Sequence, residues 1–176
     1  MTGSTEDVRG VLTRRADGVE VRFERWYATT VDDLWEAVTA PARVARWLGP
    51  LYVDPRVGGR YELRMGEDVP DADDSATGEV LVCEPPRALA VTWVFPDETV
   101  TRVDVALRPD GDGTRLLLRH TGLADASARG YGGGWHACLD QLDDHLAGRP
   151  VRSWDELYAA ATPAYADVRP DVAGPA

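Results

Sequence analysis

His120 closes the run Arg115-Leu-Leu-Leu-Arg-His, where alternation puts Leu116, Leu118 and His120 on one face of a strand and Arg115, Leu117 and Arg119 on the other. An imidazole on an otherwise apolar wall can orient a ligand or move a proton, because its ordinary pKa lies near neutral pH. The competing role is a histidine hydrogen-bonded inside a core, or one at a frayed strand end. Tyr61, Trp93 and Trp135 carry the same double reading: each can offer an O–H or N–H to a ligand, and each can simply pack. His136 and His145 lie among Asp140, Asp143 and Asp144, which read as a solvated helix face, and with His120 they make no metal-ligand spacing. No nucleophile elbow, phosphate loop or dinucleotide fingerprint is present, and Asp32-Asp33 reads as a helix start rather than a catalytic carboxylate pair. The residues imply no metal and no cofactor.

The elements that must position these groups fall in a definite order. Two alternating runs, 9–15 and 19–28, flank Ala16-Asp17-Gly18 and predict a hairpin. Thr30 stands at an N-cap position with Asp32 and Asp33 in the first turn, and Leu34, Trp35 and Val38 share a face. Pro41 stops that helix and can begin a second, about 41–48, that carries Trp47. Period-two strands follow at 59–65, 76–84, 87–95, 99–108 and 114–121, joined by short turns that imply an antiparallel meander. A long helix from about Ser127 to Leu146 presents Trp135, Cys138, Leu139, Leu142 and Leu146 on one face. Its Gly132-Gly133-Gly134 run implies either a late start near Gly134 or a place where bulk must be absent, since each glycine costs a helix about 1 kcal/mol. Ser153 and Glu156 form the pattern of a capping box before a short final helix.

This order predicts a curved sheet closed by a long helix, a shape that leaves a cavity. The inward faces give its wall: Trp35, Trp47, Tyr61, Leu63, Met65, Val91, Trp93, Val103, Val105, Leu116, Leu118, His120, Trp135, Cys138, Leu139 and Leu142. A ligand-sized space of about 300–1,000 Å³ is expected there. Residues 1–8 are expected to be loose, 9–148 to form the domain, 149–162 to dock as an extension, and 163–176 to trail as a Pro/Ala tail.

Composition narrows the classes. A chain of 176 residues with 44% hydrophobic content fits one domain that buries roughly 70% of its unfolded surface. Cys83 and Cys138 lack bridge or metal spacing and read as buried free thiols, which suits a reducing cytoplasm. No signal peptide and no membrane-spanning stretch is expected. A net charge of −11 disfavours nucleic acid and anionic lipid as partners. The acidic stretch 67–75 lacks calcium-loop spacing and reads as a solvated loop.

The ordered set Arg22-Phe-Glu-Arg25 into Val31-Asp-Asp-Leu-Trp35, Ala42 to Trp47, Gly58-Gly-Arg-Tyr61, Gly78 to Trp93 and Gly134-Trp135 resembles the SRPBCC (START-like, helix-grip) superfamily. Within it, the chain is similar to the branch named after the activator of heat-shock protein 90 ATPase. The resemblance covers roughly residues 19–148 and extends to Arg149-Pro-Val-Arg-Ser-Trp154. It implies an α+β helix-grip fold: six or seven antiparallel strands gripping the C-terminal helix, two short helices near the start and an internal hydrophobic cavity. It supplies no common catalytic set. Three functions stay open: binding of a small lipophilic molecule, a polyketide-cyclase-like reaction in the same cavity, and a co-chaperone or stress-response interaction, by a monomer or homodimer.

Overall fold

The computed structural model describes residues 9–70 and 72–172. The hairpin forms as expected, with β1 (Val11–Arg15) paired antiparallel to β2 (Gly18–Tyr27). Helices α1 (Val31–Thr39) and α2 (Pro41–Val44) follow. The Asp33 N–H donates to Thr30 Oγ1 at 3.2 Å, so Thr30 caps α1 through its side chain. The chain then meanders through β3 (Leu51–Val53), β4 (Arg60–Arg64), β5 (Ser75–Glu84), β6 (Ala88–Trp93), β7 (Thr101–Asp110) and β8 (Gly113–Leu123). β8 pairs back onto β2, and β9 (Asp171–Val172) joins β1 in parallel. The result is one open curved sheet in the order β3-β4-β5-β6-β7-β8-β2-β1-β9. Nine strands therefore replace the six or seven expected. β3 is too short to show alternation, and β9 comes from the tail.

Helix α3 (Asp125–Leu146) lies across the buried face of the sheet and runs unbroken through the glycine run. A Cβ on Gly132 would sit 2.8 Å from the Tyr165 ring, and one on Gly133 would sit 3.1 Å from the Tyr158 ring. Bulk is absent there because two aromatic rings press on the helix backbone. α4 (Trp154–Ala161) supplies Tyr158, and a 3₁₀ turn at Thr162–Ala164 delivers Tyr165. Ser153 occupies the N-cap of α4 without a side-chain capping bond, so the capping box does not close, and Asp155 and Glu156 remain in the first turn, where the helix dipole favours anions.

Two surface expectations are corrected. Asp144 does not face water: it is buried and bonded to Arg149 and Arg152, whose guanidinium groups anchor the extension after α3. Hydrogen bonds from Arg152 hold its carboxyl well below the usual range, at about 2. Residues 163–172 do not trail either. Tyr165 is 1% exposed, and its hydroxyl accepts from the Gly10 N–H at 2.8 Å. One buried aromatic outweighs the unpromising composition around it. Residues 1–8 and 173–176 lie outside the described residues.

The core divides into two clusters. One gathers Phe23, Leu116, Leu118, Leu139 and Leu142 between β2, β8 and α3; the other gathers Val44, Leu63, Val91, Trp93 and Val103 over the meander. Leu48, Tyr131 and Trp135 pack against both, so their seam runs under the middle of α3. Among the described residues, no helix is long and apolar enough to cross a membrane.

Candidate functional site

An enclosed cavity of about 60 Å³ lies at this seam. Tyr61, Leu63, Val91, Val103 and Val105 border it from the strands, joined by Leu116 and Leu118. Trp135, Cys138, Leu139 and Leu142 close it from α3, Trp47 from the turn after α2, and Trp93 stands at its outer end. The period-two and helical faces thus converge on one space, but that space admits only a few water molecules and falls short of the 300–1,000 Å³ expected. Large side chains fill the rest: Val38, Val44, Leu48 and Leu89 also reach in.

Three expected wall residues lie elsewhere. Trp35 packs half-buried against the first cluster without bordering the cavity. Met65 falls one residue past β4 and turns outward, 37% exposed. His120 is fully buried behind the wall. The Trp135 indole N–H donates to His120 Nδ1 at 3.0 Å, which makes Nδ1 the acceptor and leaves the ring proton on Nε2. Nε2 lies 2.7 Å from Thr101 Oγ1, and that hydroxyl donates onward to the Trp93 carbonyl at 3.2 Å. Both ring nitrogens are in use. Burial drives the imidazole pKa down to about 3, so the ring stays neutral at any ordinary pH. The core-histidine reading describes His120: it ties β7 and β8 to α3.

Ligand-sized space opens on the other side of Trp93, Trp135 and Cys138, as a cleft of about 310 Å³. Its walls add Met65, Phe95, Tyr131, Trp154 and Tyr158, with Glu98 and Ser127 at its edge. Trp154 and Tyr158 stack with centroids 4.6 Å apart and planes 10° from parallel, while Trp93 and Trp135 lean together at 5.3 Å. The Trp93 indole donates to the Tyr131 hydroxyl at 3.2 Å, and that hydroxyl donates to Glu98. Burial and the Glu98 carboxylate hold the Tyr131 phenol proton on.

Gly130 and Gly134, one helical turn apart on α3, border the same cleft. They differ from Gly132 and Gly133. A Cβ would meet its nearest neighbour at 3.9 Å on Gly130 and 3.6 Å on Gly134, which is ordinary contact. Packing gives no reason for glycine at either position; keeping the cleft open does.

Residues 28–147 match the family described as activator of Hsp90 ATPase homolog 1-like protein, over most of the chain. The chain belongs to that family. Solved structures of similar proteins agree with this family assignment and with the helix-grip fold. CalU16 from Micromonospora echinospora shares 29% identity over 90% of this chain and 95% of its own, with a TM-score of 0.73. The protein encoded by gene BPP1335 of Bordetella parapertussis shares 29% identity over 97% of each chain, at a TM-score of 0.70. DynU16, from the dynemicin biosynthetic locus, shares 28% identity over 76% of this chain and 49% of its own, at a TM-score of 0.66. No curated protein matches the sequence.

For this member of the activator of Hsp90 ATPase homolog 1-like family, the outer cleft holds the groups that a wall-by-wall reading of the sheet misses. Tyr131, Trp154 and Tyr158 come from helices, and Glu98 from the turn before β7. The glycine run is the visible signal, although two of its three members answer to packing. The remaining polar handle is the Tyr61 hydroxyl at the inner cavity, which has no hydrogen-bond partner among the described residues. Cys83 and Cys138 are both free, but only Cys138 is buried, and burial pushes its thiol up to about 12. It is therefore a packing residue rather than a nucleophile.

Proposed function

We propose that this protein binds a small, mainly apolar molecule with a flat ring system in the cleft between the outer end of the sheet, α3 and α4. The observation that carries the reading is the cleft itself: ligand-sized, walled by six aromatic side chains, and floored by two glycines whose absent side chains nothing else explains. Likeness to DynU16, from the dynemicin biosynthetic locus, supports a small-molecule ligand. A cyclase-like reaction would need an acid or base at the ligand. His120 is neutral, buried and doubly bonded, which leaves Glu98 and Tyr131 as the ionisable pair on the cleft lining.

The test separates binding from stability. Gly130→Ala and Gly134→Ala are each expected to stabilise the fold by up to about 1 kcal/mol, because helix propensity improves and the added methyl fits. Gly134→Leu is expected to fill the cleft from its floor. In a thermal-shift screen with a panel of aromatic lipophiles, the parent protein should gain stability with rising ligand while Gly134→Leu, folded and at least as stable, should not respond. An unresponsive parent, or a Gly134→Leu protein that still responds like the parent, contradicts the proposal.

A further inference from the structure

Charge around the cleft is one-sided. Glu98 is the one charged side chain on the cleft lining, and a neighbouring hollow that shares Met65, Phe95 and Trp154 adds Asp74 and Asp155. No arginine or histidine lines either space, although the chain carries 19 basic side chains. Elsewhere, carboxylates near apolar surface are neutralised: Glu20 by Arg15 and Arg119, Asp140 by Arg25, Asp144 by Arg149 and Arg152. Glu98 has no ion pair among the described residues, and its one hydrogen bond, from Tyr131, occupies a single oxygen. Glu98 is exposed, and its second oxygen carries no hydrogen bond on a cleft whose lining includes the rings of Tyr131, Trp93 and Trp135. Aromatic faces carry negative charge density that attracts a cation within about 6 Å.

We infer that the cleft selects an aromatic molecule bearing a positively charged amine, whose ammonium sits between the Glu98 carboxylate and the surrounding ring faces while its ring system lies over Gly130 and Gly134. This deepens the proposed function and rests on it. The net charge of −11 works in the same direction, raising the local concentration of cations and lowering that of anions. Glu98 is the specificity-determining residue. Gln in its place keeps an acceptor for Tyr131 and removes the charge.

Three probes of matched shape test this: 2-naphthylmethylammonium, the neutral 2-naphthalenemethanol and the anion 2-naphthoate, titrated by fluorescence at low ionic strength into the parent and into Glu98→Gln. The parent should bind the ammonium about tenfold more tightly than the alcohol, and the carboxylate most weakly. Glu98→Gln should bring ammonium and alcohol to within about twofold, chiefly by weakening the ammonium. Equal binding of ammonium and alcohol by the parent, or a preference that survives Glu98→Gln, overturns the charge inference and leaves the cleft reading standing. Failure of all three to bind the parent removes both.

Discussion

Ending the chain at residue 162 is expected to lower its stability by about 4–6 kcal/mol. Most of that cost belongs to Tyr165, whose ring is 1% exposed, seats against Gly132 and meets the His136 ring edge-on at 5.8 Å. Deleting a buried aromatic costs about 3–5 kcal/mol in transfer and cavity terms, and its hydrogen bond to the Gly10 N–H adds about 1 kcal/mol. Val168 contributes a carbonyl to Arg129 at 2.9 Å, and β9 adds a short parallel pairing. For a domain of 176 residues each kcal/mol moves the midpoint by roughly 2–4 °C, so the truncated protein should melt about 10 °C lower. Tyr165→Ala should reproduce most of the loss. Thermal melts of the three proteins decide the matter, and a truncated chain that melts within about 2 °C of the parent would show that the segment does not dock.

His120 should govern stability in acid. Its folded pKa, about 3, lies below the ordinary histidine value, so the unfolded chain takes up a proton between about pH 6.5 and 3 while the folded chain does not. The folded state then binds fewer protons, and stability falls as pH falls through that window, by up to about 1.4 kcal/mol per pH unit from this one group. His136 and His145, lowered mainly by burial, push in the same direction from less enclosed sites. His120→Leu removes the share of the acid sensitivity that His120 contributes but strands the Trp135 indole N–H and one bond of Thr101, at a cost of about 2–4 kcal/mol near neutral pH. Denaturant melts from pH 7 to pH 4 should therefore show a steep slope for the parent and a shallower one, starting lower, for the variant. Parallel slopes would mean that His120 titrates in the folded protein as it does in the unfolded chain, with no depressed pKa.

The parts of the fold legible in sequence are those in which one face of an element is buried and the other wet. Alternation in β4 to β8 and the Trp135-Cys138-Leu139-Leu142 stripe of α3 report that asymmetry directly, and they converge on the inner cavity. β3 is three residues long and carries no readable period. Gly132 and Gly133 of α3 are explained by Tyr165 and Tyr158, which lie 25 or more residues downstream, and no local pattern points to either ring. The tail looked unfit to order because composition averages over residues, whereas its docking rests on one side chain in one notch. Met65 illustrates the limit of extrapolating a period: β4 ends at Arg64, so the next inward position becomes the cleft's outer wall. The cleft is made from a strand end, a turn and two helices, and its residues share no single face of any element.

The six tryptophans divide evenly about the proposed site. Trp93, Trp135 and Trp154 line the cleft; Trp26 donates its indole N–H to the Asp110 carbonyl, Trp47 donates to the Ala37 carbonyl, and Trp35 packs on α1, all away from it. The most direct test is a two-dimensional nitrogen–proton NMR spectrum of the indole N–H groups, assigned by single Trp→Phe variants and recorded during titration with 2-naphthylmethylammonium and 2-naphthalenemethanol. Binding in the cleft predicts that the Trp93, Trp135 and Trp154 resonances move with one saturable affinity while those of Trp26, Trp35 and Trp47 stay in place. Movement confined to Trp26, Trp35 or Trp47, or no movement at saturating ligand, would contradict the account.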